Sequence, residues 1–173
     1  MPSIETASAI VNVSSICNAS QRVRWIAFGA EDFSADMGIS RTVDSDEAEG
    51  PYGEPGLFYA RSAVTVAERA GRVLVLDTPL VKFRDSDGLR VDCSLARRLG
   101  YTGKMAIHSA QIDVIEAAFR LIAAEVEHAR RVLEASDTAE RDGRGSLSLD
   151  GEMVDAPVVA RARNILWDVG LEL

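Results

Sequence analysis

Glu5, Glu31, Asp32, Asp77 and His108 are the residues whose type and placement, at the C-terminal ends of apolar runs, could make a reactive centre. Glu5 closes the short run Pro2-Ser3-Ile4, and Asp32 comes just after Trp25-Ile26-Ala27-Phe28-Gly29. Two carboxylates from neighbouring strand ends can hold one Mg2+, with water and substrate oxygens completing its octahedron. Glu31 adjoins Asp32, Asp77 ends the run 72–77, and His108 ends the run 104–108. Acids in such places also cap the next helix or simply face water, and spacing alone does not separate the two roles. A strand-end histidine is either a general base or a local hydrogen-bonding group. His128, in a polar helical stretch, reads as a surface residue. Cys17 and Cys93 show no CxxC or Cys/His spacing for zinc, so reduced thiols are expected.

The elements that would position these groups alternate along the chain. Residues 24–29, 72–77 and 104–108 are nearly continuous apolar runs, and 2–5 reads as the end of another. Such runs suit strands covered on both faces. Helical spacing lies between them. It is carried by Ile10, Val13 and Cys17 over 9–19, by Ala63, Val64, Ala67 and Ala70 over 60–70, and by Leu89, Val91, Leu95 and Leu99 over 87–99. Gly100 stops that last helix, and a longer helical region covers 110–134. Strand and helix thus repeat about four times, which predicts a parallel α/β arrangement with functional groups at the C-terminal strand ends. Residues 44–55, acidic and rich in Gly and Pro, read as a solvated loop or lid. Residues 137–155 read as a small hairpin turning at Asp150-Gly151. A closing helix follows, with Asp155 as N-cap, Pro157 in its first turn, and Val158, Val159, Ala162, Ile165, Leu166 and Val169 as its apolar stripe.

The bulk composition limits the partners. The chain has 173 residues, 47% hydrophobic and 27% charged, a balance suited to a packed domain in water. Its net charge of −8 argues against nucleic acid, which requires clustered Lys and Arg. An anionic substrate stays open, because a bound cation inverts the local field. Met1-Pro2-Ser3-Ile4-Glu5 has neither the basic nor the apolar region of a signal peptide. No apolar run approaches the roughly 18 residues of a membrane span. A cytoplasmic protein is expected.

Several stretches together resemble one family. Ile4-Glu5-Thr6-Ala7, Gly29-Ala30-Glu31-Asp32-Phe33-Ser34-Ala35-Asp36-Met37-Gly38, Phe58-Tyr59-Ala60-Arg61-Ser62, Phe83-Arg84-Asp85-Ser86-Asp87-Gly88-Leu89, Gly103-Lys104-Met105-Ala106-Ile107-His108-Ser109-Ala110-Gln111-Ile112 and Gly151-Glu152-Met153-Val154-Asp155-Ala156-Pro157 run in the same order as motifs of the citrate lyase β-subunit/HpcH–HpaI aldolase family. The resemblance implies a (β/α)8 TIM-barrel fold of which this chain holds strands 5–8 with their helices. Residues 1–136 would be the C-terminal half-barrel, and 137–173 a hairpin and lid helix for subunit contact.

The resemblance also implies Mg2+ as cofactor, Glu5 and Asp32 as its ligands and Asp155 as the acid/base. In acyl-CoA lyase members that Asp reaches a neighbouring subunit's site within a trimer or hexamer. Glu31, Ile107 and His108 are carried over as substrate- or cofactor-binding positions, Glu31 with a supporting role. Asp155 can both cap its helix and react only if its side chain leaves the helix end. Arg61 either faces the loop beside the metal or pairs with a structural acid. Ser109 replaces the proline usual after the histidine, and Arg120-Leu121-Ile122 continues where a Pro-Ser pair often breaks the helix.

Family members run to nearly twice this length, and four strands cannot close an eight-stranded barrel. The missing half would carry the arginine for the substrate carboxylate. A truncated product, a separately encoded first half, or two copies forming a pseudo-barrel would each explain this. The expected activity is Mg2+-dependent carbon–carbon cleavage of a citryl, citramalyl or malyl thioester of coenzyme A or acyl carrier protein, giving an oxo-acid and an acetyl thioester. The alternative is a catalytically incomplete half-barrel acting as an interaction subunit of a homologous lyase. An aldolase for free hydroxy-acids is a weaker option, because the segment 151–157 resembles the thioester-cleaving branch.

Overall fold

The computed structural model describes residues 1–39, 55–120, 123–141 and 147–168. They form two compact units, Met1–Phe119 and Arg120–Leu173.

The first unit is built on four parallel strands in sequential order: β1 (Ser3–Ile4), β2 (Trp25–Phe28), β3 (Leu74–Asp77) and β4 (Gly103–Lys104). Helices α1 (Ala7–Val11) and α2 (Val13–Cys17) follow β1. Helices α3 (Ala30–Met37) and α4 (Pro55–Gly71) follow β2, α5 (Ser86–Leu99) follows β3, and α6 (Ile112–Phe119) follows β4. The expected parallel α/β order is therefore present.

Strand parity sorts the sheet into two unlike faces. Ile4, Ile26, Phe28 and Val75 point into the core shared with Ile10, Val13, Phe33, Leu57, Ala60 and Val64 of the helices. Each of these four strand residues is fully buried, and each such side chain contributes about 1.5–3 kcal/mol of hydrophobic free energy. The opposite face carries Ser3, Trp25, Ala27, Leu74, Leu76 and Gly103, which the strand register aligns. There Trp25 is 39% exposed, and Leu74 and Leu76 are only half-buried.

Several expected elements differ in extent. The helix over 9–19 is two short helices meeting at Asn12, whose side-chain amide donates to the Ser8 carbonyl at 2.8 Å. Helix α3 falls where a motif but no helix was read. The strand expected over 104–108 pairs only at Gly103–Lys104. After Met105 N donates to the Asp77 carbonyl, the chain leaves the sheet, and the Gln111 side chain takes over its bonds. Helix α5 ends as expected. Gly100 adopts φ 101°, and the Gly100 and Tyr101 amides close on Arg97 and Ala96, a left-handed C-cap that disfavours any side chain.

In the second unit, α7 (Ala123–Arg141), the hairpin β5 (Leu147–Leu149) and β6 (Glu152–Val154), and α8 (Ala156–Asp168) share one core. Ala129, Val132, Val154, Val159, Ala162 and Leu166 are its buried members. The hairpin turns at Asp150-Gly151, both with positive φ, the two-residue geometry whose twist matches the strands. The expected loop over 44–55 lies outside the described residues except for Pro55, which opens α4, and Val169 of the closing stripe lies outside them too.

Candidate metal and acid/base site

Glu5 follows the last paired residue of β1, on the half-covered face of the sheet. Ser3, two residues back and so on the same side, donates its hydroxyl to Glu5 Oε2 at 2.6 Å. Gly29 sits opposite, its amide bonded to the Ile4 carbonyl at 3.0 Å. A Cβ at Gly29 would stand 3.0 Å from both Glu5 Cβ and Glu5 Oε2. The space beside this carboxylate thus depends on glycine there.

Gly29 is also the N-cap of α3, which places Glu31 and Asp32 in that helix's first turn rather than on a strand. Negative charge is favoured there by the unpaired helix amides. The α3 N-terminus is fixed to the residue that follows β3 through Ala30 N, which donates to the buried Thr78 Oγ1 at 3.1 Å. Asp32 is exposed and makes no hydrogen bond or ion pair among the described residues. One turn on, Asp36 Oδ2 accepts a bond from Ala7 N at 2.7 Å. Residues four apart share a helix face, so the α3 face bearing Asp32 and Asp36 adjoins the turn that follows Glu5.

Mg2+ takes hard oxygen donors and keeps several waters, so it needs only one or two carboxylates. Glu5, braced on one oxygen, and unpartnered Asp32 fit that demand. Among the described residues no three His, Cys, Asp or Glu side chains gather as a fuller metal cage.

A second charged group lies on the helix-covered side of the same sheet. Asp77, fully buried at the end of β3, accepts Arg61 Nε at 3.2 Å, Arg61 Nη2 at 2.6 Å and Lys104 Nζ at 2.7 Å. Asp92 of α5 closes the cluster, 3.0 Å from Arg61 Nη2 and 2.5 Å from Lys104 Nζ. Burial pushes the Asp92 carboxyl up, but Lys104 and Arg61 outweigh it and hold it below the usual range. Burial likewise pulls the Arg61 guanidinium down, and Asp77 and Asp92 more than restore it. Tyr101, whose hydroxyl donates to the Arg61 carbonyl, has its phenol raised by burial and then by Asp77. Two cations and two anions compensate one another here. This resolves Arg61 as the partner of structural acids.

His108 is exposed beyond β4. Its Nδ1 accepts from Ala110 N at 3.1 Å, and its ring stacks on Phe83 with centroids 4.5 Å apart. Ile107 is 56% exposed and its amide donates to Gln111 Oε1. Asp155, in the second unit, caps α8 by accepting from Val158 N at 3.2 Å. His128 is exposed, as read from sequence. Ser3, Gly29, Thr78 and Asp36 were not singled out from sequence. The i, i+2 spacing of Ser3 and Glu5 was the available signal for one of them; the others depend on contacts between distant segments.

The HpcH/HpaI aldolase/citrate lyase family model matches residues 1–109. Citrate lyase subunit beta of Leuconostoc mesenteroides subsp. cremoris is 34% identical over 166 residues, covering 96% of this chain and 52% of the relative. The mitochondrial citramalyl-CoA lyase of Rattus norvegicus is 28% identical, covering 96% and 49%. The crystal structure of protein CitE from Mycobacterium tuberculosis, in complex with magnesium, acetoacetate and coenzyme A, superposes with a TM-score of 0.72. It is 32% identical and covers 97% of this chain and 60% of that one. The chain spans about half the length of the curated relatives it matches.

Proposed function

The chain belongs to the HpcH/HpaI aldolase/citrate lyase family, and on that basis we propose that it is the C-terminal half of a Mg2+-dependent carbon–carbon lyase. The reading is that β1–β4 are four strands of a (β/α)8 barrel and that the half-covered sheet face is part of its interior. Parallel sheets ordinarily have both faces covered. Half-buried Leu74 and Leu76, with Trp25 beside them, are the observation that favours a missing complement.

Glu5 and Asp32 would hold Mg2+. When bound, the ion supplies Lewis-acid stabilisation of negative charge on an oxo-acid oxygen. Ser3 and the space at Gly29 keep the Glu5 carboxylate facing the barrel interior. The substrate is a 3-hydroxyacyl thioester. Loss of the hydroxyl proton lets the bond between the carbinol carbon and the thioester α-carbon break. The electron pair moves into the thioester enolate, and a proton returns to its α-carbon to give the acetyl thioester. Asp155 is assigned that proton transfer, in a site completed by a neighbouring subunit of a trimer or hexamer. Glu31, Ile107 and His108 are assigned to the substrate or thioester side. The acyl carrier is coenzyme A or an acyl carrier protein. The division into a half-barrel over 1–136 and a lid over 137–173 is part of the same reading.

The single observation that carries the assignment is the braced Glu5 carboxylate beside Gly29, with Asp32 open on the adjoining helix face. Its test is Mg2+-dependent release of oxaloacetate, pyruvate or glyoxylate by the chain, alone and with a complementary first half. Wild-type rates in Glu5→Gln and Asp32→Asn would remove the metal assignment. For Asp155, Asn caps a helix about as well as Asp. Asp155→Asn should therefore keep the melting temperature while turnover falls, whereas Asp155→Ala should cost about 1 kcal/mol as well. Equal turnover in Asp155→Asn and wild type would leave Asp155 a cap alone.

A second reading, a catalytically incomplete interaction subunit, is favoured by the same half-covered face. It predicts a stable complex with a homologous lyase and no Mg2+-dependent turnover by the chain's own Glu5 and Asp32.

A further inference from the structure

Asp36 makes a contact that its exposed position near the end of α3 does not announce. Its Oδ2 accepts from Ala7 N at 2.7 Å across 29 residues of sequence. Ala7 opens α1, two residues beyond Glu5, and the Thr6 hydroxyl oxygen already accepts from Ala9 N at 3.1 Å. The turn after Glu5 is therefore tied from within by Thr6 and from α3 by Asp36. The strand itself gives Glu5 little support. β1 has two residues and ends at Ile4, and the last backbone bond beside it is Gly29 N to the Ile4 carbonyl. Helix α3 is well placed to act as the anchor, because Ala30 N is bonded to buried Thr78.

We propose that Asp36 is a positioning residue for the metal pair, fixing the Glu5 turn against the α3 face that presents Asp32. This rests on the reading of Glu5 and Asp32 as ligands. The device suits a site whose two ligands come from different segments. Mg2+ demands near-ideal octahedral geometry, and a bond from a charged acceptor to a backbone amide is among the stronger ties available. The connection runs from β3 through Thr78 to α3, and through Asp36 to the segment carrying Glu5.

The test is a Mn2+ titration of the full chain, followed by the electron paramagnetic resonance signal of free Mn2+, together with hydrogen exchange at the Ala7 amide. Asp36→Ala should weaken Mn2+ binding by about tenfold or more, the usual range for a residue that orients a ligand. Exchange at Ala7 should quicken. Asp36→Asn, which keeps an acceptor oxygen of the same reach, should recover most of the affinity. Wild-type Mn2+ affinity in Asp36→Ala, with faster exchange at Ala7, would reduce the contact to a helix cap and overturn the proposal. An Asp36→Asn variant as weak as Asp36→Ala while exchange at Ala7 stays as slow as in wild type would also overturn it, because charge rather than position would then matter. Should Asp36→Ala not fold, Asp36→Ser, too short to reach Ala7, is read the same way. If wild type and Glu5→Gln bind Mn2+ alike, the ligand assignment itself fails, and Asp36 has no pair to position.

Discussion

Asp77 and Glu5 lie at the same end of one parallel sheet, yet strand parity turns them to opposite faces. Asp77 points with Val75 toward the helices, where it is fully buried and held by Arg61 and Lys104. Glu5 points with Ser3 to the half-covered face, where a serine hydroxyl is its only partner among the described residues. The difference follows from the cost of burying charge. A carboxylate enclosed by protein must bring its own counter-ions, and Asp77 has two. A carboxylate left open keeps oxygens for an external cation. Closed and open acids of the same chemical type therefore predict opposite sensitivities.

The largest effect should come from opening the closed group. Asp77→Ala leaves Arg61 and Lys104 with Asp92 alone, and breaking a buried pair from one side costs about 3–5 kcal/mol. A large drop in the urea midpoint checks this. A loss under about 1 kcal/mol would mean that water reaches the cluster and that the contrast with Glu5 is weak.

Acid should act on the same cluster next. The Asp92 carboxyl is held below its ordinary value of roughly 3.9 by Lys104 and Arg61. Its contribution is fully present above the unfolded value and is lost as pH falls through the lower, folded one. Below about pH 4, wild type should lose stability more steeply with falling pH than Asp92→Asn does, as read by melting temperature across that range. Parallel curves for the two proteins would remove Asp92 from the compensated set.

A smaller effect is expected at the open site. Gly29→Ala sets a methyl 3.0 Å from both Glu5 Cβ and Glu5 Oε2, tight enough to displace the Glu5 side chain. Stability should change by less than about 1 kcal/mol, while Mg2+ affinity falls in calorimetry. Unchanged Mg2+ affinity would show that the space beside Glu5 serves only backbone packing.

Legibility from sequence followed the same division. The apolar runs around Ile26, Val75 and Lys104 marked the strands, because continuous burial leaves a strong local pattern. Gly100 and Asp150-Gly151 marked a helix end and a turn, because left-handed backbone selects few residues. Helix α3 was missed as a helix. Its buried apolar contribution is Ala30 and Phe33, with Asp32, Asp36 and Met37 exposed, which leaves little stripe to detect. The strand ending at His108 was read too long because Met105-Ala106-Ile107 is apolar, yet Ala106 and Ile107 are exposed once the chain leaves the sheet. Arg61 could not be assigned, since its partners lie 16 and 31 residues away. Glu5 and Asp32 were singled out through the resemblance of their motifs. Of the hydrogen bonds around them, Ser3 to Glu5 leaves an i, i+2 spacing in the sequence, whereas Ala7 N to Asp36 and Ala30 N to Thr78 join segments 29 and 48 residues apart and leave none.

The contrast between the open and closed acids is tested most directly by calorimetric Mg2+ titration of wild type, Glu5→Gln and Asp32→Asn, with urea midpoints measured on the same samples. The account predicts that wild type binds Mg2+, that both variants lose at least about tenfold in affinity, and that their midpoints stay near the wild-type value. Equal Mg2+ binding by all three proteins, or none by wild type, would contradict it.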